Sequence, residues 1–312
     1  MKRQTAIALG SAFLTAPIAT SAQGTPQLLL AGVGEESITP ALWAAQSGMF
    51  SKAGLDVTVQ PANSGTAIAA GVQGGAYAIG KSSLVAIIVA HTRGLPFVFV
   101  AGGSLYDTKF PYSVLTVKAD SPLKTAADLN GKIIAVPALS DLTTVATKGY
   151  VDAHGGDSKT LQLIEIPFAQ MPDVLAAGRA DAGFIADPIL QQALDAKKVR
   201  IFAHAFDAIA PQFMVTGWFV TQDYATKNQA TLAKFARVMR ESAAYIVGHP
   251  ADTVSVLSKF MNVDPAVIAQ THRIGYAPLE PKYIQPVIDI SAKYKLIPAA
   301  FDAKELIAPG LG

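Results

Sequence analysis

The sequence predicts an α/β fold with two Rossmann-like lobes, whose mainly parallel sheets are joined by two hinge crossings. A strand–helix–strand–helix unit at 55–84 recurs at 161–194, which indicates two lobes of one kind. Strand and helix patterns alternate along the chain, as in parallel sheets with helices on both faces. Small polar residues follow the strands, at the carboxyl ends where ligands bind in such sheets. We therefore expect the lobes to face each other across a cleft.

The composition is that of a folded protein with a large core. Of 312 residues, 51% are hydrophobic and 15% are charged, and this length fits about two domains. The chain contains no cysteine, which excludes thiolate catalysis, cysteine-ligated zinc, iron–sulfur clusters and disulfides. No cluster of Lys and Arg is present to neutralise phosphates, so we expect no nucleic-acid partner.

Residues 1–22 are predicted to be a secretory signal peptide. Lys2 and Arg3 form a short basic region, 5–18 is apolar, and 19–22 supplies small residues for cleavage. An apolar stretch of about 14 residues is shorter than the ~20 that a membrane span requires. Removal of this segment leaves 23 basic and 23 acidic residues, so the mature chain is formally neutral.

The first part of lobe one alternates strands with helices. Thr39 is a good capping residue for the first helix, and Pro40 follows at the first helical position. Strands are predicted at 27–33, 55–59, 77–80 and 97–100, and helices at 39–54, 66–72 and 84–92. The segment 102–107 breaks this alternation and is predicted to cross into the second lobe.

Lobe two is predicted to lie between two crossing segments. Its strands are placed at 112–117, 132–136, 161–166, 181–186 and 199–202, and its helices at 125–129, 142–153 and 173–177. The strand at 214–220 returns to lobe one, and helices follow at 230–247, 250–261, 264–272 and 283–294. Lobe one therefore comprises 23–105 and 214–312, and lobe two comprises 106–213.

The two copies of the repeated unit are aligned through their turns. Gly74 is matched with Gly178, although the first copy has two extra residues before it, and 81–83 is matched with 186–188. The segments 44–59, 63–65, 74–83, 127–136 and 175–188 then occur in a characteristic order. In that order the sequence resembles the periplasmic solute-binding proteins of ABC importers, in the group that includes sulfonate, taurine, nitrate, aromatic-acid and thiamine-pyrimidine-precursor binders. Tyr77 departs from this pattern, where the family usually has an acid such as Asp181 in the second copy.

The resemblance implies a Venus-flytrap fold of the type II periplasmic binding proteins, in which two lobes close over a small solute. It also implies a periplasmic location, delivery of the solute to an ABC permease in the inner membrane, a monomeric chain and no cofactor. Closure excludes water, so that a few hydrogen bonds carry more weight than they do in solvent.

The candidate ligand-binding residues in the strand-end loops are short polar side chains beside helix starts. Such groups suit an anion, because free backbone N–H groups and the positive end of the helix dipole lie next to them. The same residue types also serve as ordinary helix caps, and for each of them both interpretations stay open. The candidates are Ser37, Asn63, Ser64, Thr66, Ser82 and Ser83 in lobe one, and Ser140, Asp141, Thr143 and Asp187 in lobe two.

Lys81 is the most informative charge, because it is predicted to lie between the third strand and its helix. It is interpreted as a point charge for a carboxylate, sulfonate or phosphate, or as a solvated lysine on the cleft rim. Glu35 and Glu36 lie in the loop after the first strand, where a cationic ligand, an ion pair with Lys81 and a solvated position are the alternatives.

Tyr106 at the first crossing, and Met214 or Trp218 on the return strand, are expected to form an apolar floor for a ring. The five histidines share no metal-ligand spacing, and the motifs of serine hydrolases, zinc proteases and P-loop proteins are absent. We therefore expect no enzyme, no metal and a small organic anion, either a sulfonate or an aromatic or aliphatic carboxylate. The alternatives are a neutral pyrimidine ligand, or a secreted enzyme that uses Glu35 or Asp187 as acid or base.

Overall fold

The structure, a computed structural model, describes residues 27–62, 64–187, 189–270 and 273–311. The predicted signal peptide and Asn63 lie outside the described residues. Within these ranges, no helix combines the length and the apolar character that crossing a membrane requires.

The ten predicted strands occur in the predicted order, with boundaries shifted by one to three residues at several ends, whereas β5, β11 and β13 were not predicted. They are β1 Gln27–Gly32, β2 Asp56–Pro61, β3 Ile79–Ser83, β4 Phe97–Gly102, β5 Ser104–Asp107, β6 Ser113–Lys118, β7 Ile133–Val136, β8 Gln162–Glu165, β9 Ala182–Ala186, β10 Val199–Ala203, β11 Gln212–Met214, β12 Thr216–Thr221 and β13 Gly275–Tyr276.

The α-helices lie between these strands and dominate the C-terminal part. They are α1 Thr39–Gln46, α2 Met49–Lys52, α3 Gly65–Gln73, α4 Leu84–Thr92, α5 Leu142–Ala153, α6 Met171–Ala176, α7 Ile189–Asp195, α8 Gln222–Lys227, α9 Gln229–Gly248, α10 Val254–Met261, α11 Pro265–Gln270 and α12 Pro281–Lys293. The first predicted helix, at 39–54, is in fact α1 and α2, because Gly48 between them adopts φ 76°.

Two five-stranded sheets have the same strand order. The first runs β2-β1-β3-β12-β4 and the second runs β8-β7-β9-β6-β10. In each sheet four strands run in the same direction, and the fourth strand in this order, β12 or β6, is antiparallel to both of its neighbours. The predicted α/β fold is confirmed, and each sheet gains an antiparallel strand that the alternation of strands and helices did not predict. We call the sheet with β1 lobe one and the sheet with β7 lobe two, each with its helices.

The crossing segments form a small sheet of their own, in the order β11-β5-β13. β5 leaves lobe one and pairs antiparallel with β11, which returns from lobe two, and β13 from the C-terminal part pairs with the other edge of β5. We propose that this sheet marks the limits between the lobes and serves as the hinge.

The repeat is real, but its alignment shifts relative to the one inferred from sequence. Ile79 pairs with Leu30 of β1, and Ala182 pairs with Ile134 at the equivalent place in β7, so Ile79 and Ala182 correspond. Counting back four residues from each, Gly75 corresponds to Gly178, and Gly74 does not. Gly75 and Gly178 share a positive φ, at 76° and 68°. The extra helical length of α3 over α6 accounts for the difference.

The same shift changes two other matches of the repeat. Ser83 pairs with the first residue of β12, and Ala186 pairs with the first residue of β6, so Ser83 corresponds to Ala186. The segment 81–83 therefore does not match 186–188. Ala78 corresponds to Asp181, whose carboxylate accepts the Ile133 N–H at 2.9 Å.

The largest cluster of core residues is continuous through the hinge and includes side chains of both lobes. The helix α12 contributes to this continuity, because it packs against α4 in lobe one and against α5 in lobe two. Tyr294, just after α12, donates its hydroxyl to Asp152 at 2.8 Å. The C-terminal helix therefore bridges the lobes behind the hinge.

Candidate functional site

Lys81 lies inside strand β3, directly opposite Trp218 of β12, and not in the loop after the strand. Its side chain is only 1% exposed, and its ammonium donates to Oε1 of Glu35 in the loop after β1. Ser37 donates its hydroxyl to the same carboxylate oxygen at 2.8 Å. Of the alternatives left open by the sequence, the ion pair between Lys81 and Glu35 is the one that the structure contains. The solvated lysine on the rim was wrong.

The Glu35 side chain is 48% exposed, while its partner is almost fully buried. Burial is the largest influence on this carboxyl and by itself raises the pKa, but the charge of Lys81 and the hydrogen bonds from Lys81 and Ser37 lower the pKa below its usual value. Because the Glu35 carboxylate is both accessible and partly desolvated, it lies in a recess of the surface. Glu35 is therefore an ionised acceptor at the carboxyl end of β1.

Tyr112 brings lobe two to the same place. Burial and the charge of Glu35 raise the pKa of Tyr112, and a hydrogen bond with the Ser104 side chain opposes this. Ser104, on the hinge strand β5, in turn lies 2.8 Å from the Thr216 hydroxyl. The neutral phenol of Tyr112 thus lies within range of the Glu35 charge, and it connects this part of lobe two with the crossing strand β5 through Ser104.

Asp187 lies beside Tyr112, since its backbone N–H donates to the Tyr112 carbonyl at 2.9 Å. The side chain is half-buried, at the start of the turn that follows β9. Ser140 is exposed in the turn after β7, at the same edge of the sheet of lobe two. Both predicted residues are thus at carboxyl ends of strands in lobe two.

Several predicted residues act as helix caps. The Ser64 hydroxyl accepts the N–H of Ala67 at the start of α3, and the Ser83 hydroxyl accepts the N–H of Ala86 at the start of α4, both at 3.2 Å. Both serines are exposed. These side chains satisfy backbone donors that a helix start leaves free.

The helix α5 of lobe two has the corresponding cap. Asp141 accepts both the N–H and the hydroxyl of Thr143 at 2.6 Å. Burial raises the pKa of Asp141, and the hydrogen bonds from Thr143 counter this effect. In lobe one, Thr66 is exposed on α3, and Ser82 is buried with its hydroxyl close to Gly65.

The expected apolar floor is not at a surface. Tyr106, Met214 and Trp218 are each 0% exposed and belong to the core. Tyr106 stacks on Phe213, with ring centroids 5.0 Å apart, and donates its hydroxyl to Asp207 at 2.6 Å. Their size and their place at the crossings suggested ring contacts with a ligand, but Tyr106 and Met214 fill the interior at the crossing strands, and Trp218 packs against Phe235 in the core of lobe one.

A second ion pair fixes the same loop of lobe one. Both carboxylate oxygens of Glu36 accept from Nη1 of Arg273, at 2.9 and 2.8 Å. Nη2 of Arg273 donates to the Thr253 hydroxyl at 2.9 Å and to the Pro250 carbonyl at 2.8 Å. Burial raises the pKa of Glu36, with Arg273 opposing the shift. The loop after β1 is thus held from two sides, by Lys81 through Glu35 and by Arg273 through Glu36.

Three contributors to this site were not among the predicted residues: Tyr112, Ser104 and Arg273. Tyr112 was assigned to a strand, and Arg273 follows a predicted helix far along the chain, so no local pattern connects either of them with the loop after β1. The register of the crossing strands connects them, and it forms only in the folded chain.

At the carboxyl ends of the lobe-one strands, the cations Lys81 and Arg273 each have an acid partner. The accessible groups are the Glu35 carboxylate and serine and threonine hydroxyls, which are acceptors and neutral donors. Within the described ranges, no three His, Cys, Asp or Glu residues are grouped so that they can hold a metal ion. The arrangement suits recognition of a polar solute by hydrogen bonds.

The fold of these two lobes is that of the periplasmic solute-binding proteins. The chain belongs to the NMT1/THI5-like family, whose pattern matches residues 35–253. The resemblance inferred from the sequence is thereby confirmed.

Among curated relatives, the chain is similar to a formylaminopyrimidine-binding protein of Halalkalibacterium halodurans, with 24% identity over 219 residues. The match covers 69% of this chain and 64% of that protein, so the chain spans less than two thirds of the relative's length.

Among solved structures, the fold is similar to the periplasmic aliphatic sulphonate-binding protein SsuA of Escherichia coli, with a TM-score of 0.74, 21% identity, and coverage of 91% of this chain and 98% of that one. The desulfurization enzyme DSZB also has this fold, with a TM-score of 0.63, 13% identity, and coverage of 91% and 97%. The same fold therefore occurs in a binding protein and in an enzyme, so the fold by itself does not distinguish the two functions.

Proposed function

We propose that this protein is an extracytoplasmic solute-binding receptor of an ABC importer, a monomer in the periplasm that delivers its solute to an inner-membrane permease. The observation that carries the proposal is the pair of sheets with the same strand order, joined by the crossing strands β5 and β11, with the Glu35 loop of lobe one near enough to Tyr112 of lobe two for its charge to raise the Tyr112 pKa. A solute held by both lobes favours the closed arrangement through its differential affinity, which is what a capture protein needs. Family membership and the resemblance of the fold to SsuA support this role.

For the ligand, the electrostatics favour a neutral ring with amino N–H donors, such as an aminopyrimidine. Lys81 is buried and already paired, so it offers no free charge to an anion, whereas the half-exposed Glu35 carboxylate accepts N–H groups. Tyr112 and the serine hydroxyls supply the complementary neutral donors. The relative that binds formylaminopyrimidine supports this choice.

A small organic sulfonate or carboxylate is the second candidate ligand. The capped starts of α3, α4 and α5 favour it, because each follows the carboxyl end of a strand and has free backbone N–H groups. The resemblance of the fold to a sulphonate-binding protein also supports it.

The experiment is calorimetric titration of the mature chain with an aminopyrimidine, its formylated derivative and hexanesulfonate, and it compares the wild type with Glu35→Gln. We expect an aminopyrimidine to lose about 10-fold or more in affinity, because a hydrogen bond to a charged acceptor contributes about 1.5–3 kcal/mol. The same variant removes the partner of Lys81, so hexanesulfonate is expected to bind more tightly. If the sulfonate is the natural ligand, wild type binds it and not the pyrimidines.

Glu241→Gln is the matched control, since Glu241 is an exposed glutamate paired with Arg237 on α9. It is expected to leave both affinities unchanged. Native mass spectrometry of gently purified protein provides an independent measurement, because it distinguishes an intact bound solute from a turnover product. The receptor proposal fails if none of these solutes binds and no small molecule accompanies the purified protein.

A further inference from the structure

A cavity of about 290 Å³ lies in lobe one, between α9, the end of β4 and the segment 276–280. It is separate from the loops around Glu35, because none of the residues that line it belongs to those loops. The lining is mostly apolar and includes Pro40, Ala236, Met239, Ala243, Leu279 and Leu311.

Two polar residues at this cavity stand out against the apolar lining. The hydroxyl of Tyr276 is fully buried and lies beside the Thr39 hydroxyl. The neighbouring Thr39 hydroxyl is itself donated to the Glu36 carbonyl at 2.6 Å. Tyr276 is therefore a polar group in the wall of a mostly apolar cavity.

The second polar residue is Arg240, on the exposed side of α9. Its guanidinium has no acidic partner among the described residues, whereas Arg237, one turn earlier, is paired with Glu241. Glu280 also lines the cavity, but Lys282 neutralises it at 2.7 Å. The uncompensated charge at the cavity is therefore positive.

We propose that this cavity binds a small aromatic or aliphatic monocarboxylate, with its apolar body against Met239 and Leu279 and its carboxylate on Arg240. An apolar cavity of roughly 150 Å³ accommodates benzene, so this one has room for a ring with a short substituent. Arginine binds carboxylates through two parallel hydrogen bonds, which gives the site its selectivity for this group. The proposal is independent of the solute bound in the cleft.

The probes are benzoate, hexanoate and the uncharged benzyl alcohol, titrated into the mature chain by calorimetry. Wild type is expected to bind benzoate with one saturable site. Arg240→Gln should weaken benzoate about 10-fold or more, because the bond it removes is charge-assisted, and should leave benzyl alcohol unchanged. The matched control is Arg237→Gln, which is expected to change neither probe.

Ala243→Phe tests the cavity itself, since the added ring occupies the space beside Met239, and it should abolish binding of both probes. Circular dichroism checks that this half-buried substitution still folds, and the exposed Arg240→Gln remains a test if it does not. The proposal is overturned if wild type shows no saturable benzoate binding, or if Arg240→Gln and Arg237→Gln have equal effects. It is also overturned if Glu35→Gln changes the affinity for benzoate in either direction, because the probe would then bind beside Glu35.

Discussion

Lys81 occupies in β3 the position that Phe184 occupies in β9. Each pairs with the antiparallel strand of its own sheet, Lys81 with Trp218 and Phe184 with Leu115, and each follows a glycine, Gly80 or Gly183. One lobe thus has a core phenylalanine where the other has a buried lysine. A buried ammonium is tolerated only when it is paired, and Glu35 provides the partner.

Lys81 is almost fully buried, whereas Glu35 is half-exposed, so we expect the two single substitutions to lower the free energy of unfolding by different amounts. Glu35→Gln leaves Lys81 charged and 1% exposed, and we expect a loss of about 3 kcal/mol in the free energy of unfolding. Lys81→Met leaves Glu35, which water can still solvate, and the apolar side chain suits the strand position, so the loss should be about 1 kcal/mol or less. Urea denaturation at pH 7 measures both values. Equal losses would contradict the view that Lys81 is the desolvated partner.

The same pair predicts a pH dependence. The pKa of Glu35 is lowered in the folded protein, so the unfolded chain binds this proton more readily, and the ionised carboxylate stabilises the fold above the ordinary pKa of 4.5. That contribution is lost as the pH falls below 4.5 and through the lower pKa of the folded state. The difference in unfolding free energy between wild type and Glu35→Gln should therefore shrink between pH 5 and about pH 3. The difference between the two proteins removes the contribution of other acids to the pH dependence of stability, such as Glu36, whose pKa is shifted in the opposite direction. A difference that stays constant over this range would refute the assignment.

The fold was predictable from the sequence because its determinants are local and repeated. Apolar strands followed by capped helices occur in both copies of the unit, and this alternation leads to parallel strands. Ser64, Ser83 and Asp141, for which capping and ligand binding were both left open, cap their helices, since a capping side chain acts on backbone within three positions of itself. The predicted cap Thr39 was wrong: it is the first residue of α1, and its hydroxyl donates to the Glu36 carbonyl.

The antiparallel strand of each sheet was not predictable in this way. β12 inserts between β3 and β4 although it lies more than a hundred residues further along the chain, and no local pattern specifies that pairing. The prediction that Lys81 follows the third strand was wrong for the same reason. A charged residue before two serines looks like the end of a strand, and β3 continues through it only because β12 and Glu35 provide partners.

The hinge crossing predicts a sensitive glycine. A Cβ on Gly103, between β4 and β5, would lie 2.6 Å from the Thr216 carbonyl oxygen, closer than atoms pack. We expect Gly103→Ala to lower the free energy of unfolding by about 1–3 kcal/mol, because backbone of the returning strand must move. Gly248→Ala is the control: it has no neighbour within 4 Å and lies at the end of α9, where alanine should stabilise by up to about 1 kcal/mol. Thermal unfolding of both variants tests the pair, and a neutral Gly103→Ala would show that the crossings are loosely packed.

The pair between Glu36 and Arg273 predicts a stability loss that depends on pH and is rescued by a second substitution. Arg273→Ala leaves the Glu36 carboxylate, only 13% exposed, without its partner, and we expect a loss of about 3 kcal/mol at pH 7. Burial already raises the pKa of Glu36 above 4.5 with Arg273 in place, so in the variant the loss should grow as the pH rises above 4.5 and the carboxyl ionises.

Adding Glu36→Gln removes the unpaired charge, so the double variant should be more stable than Arg273→Ala alone and should lose that pH dependence. The exposed Arg237→Ala, 53% exposed and paired on α9, is the control and should cost about 0.5 kcal/mol or less. Urea denaturation at pH 5 and pH 8 compares all four proteins. If the double variant is no more stable than the single one, the bonds from Arg273 to Thr253 and to the Pro250 carbonyl, and not the charge of Glu36, hold the loop after β1.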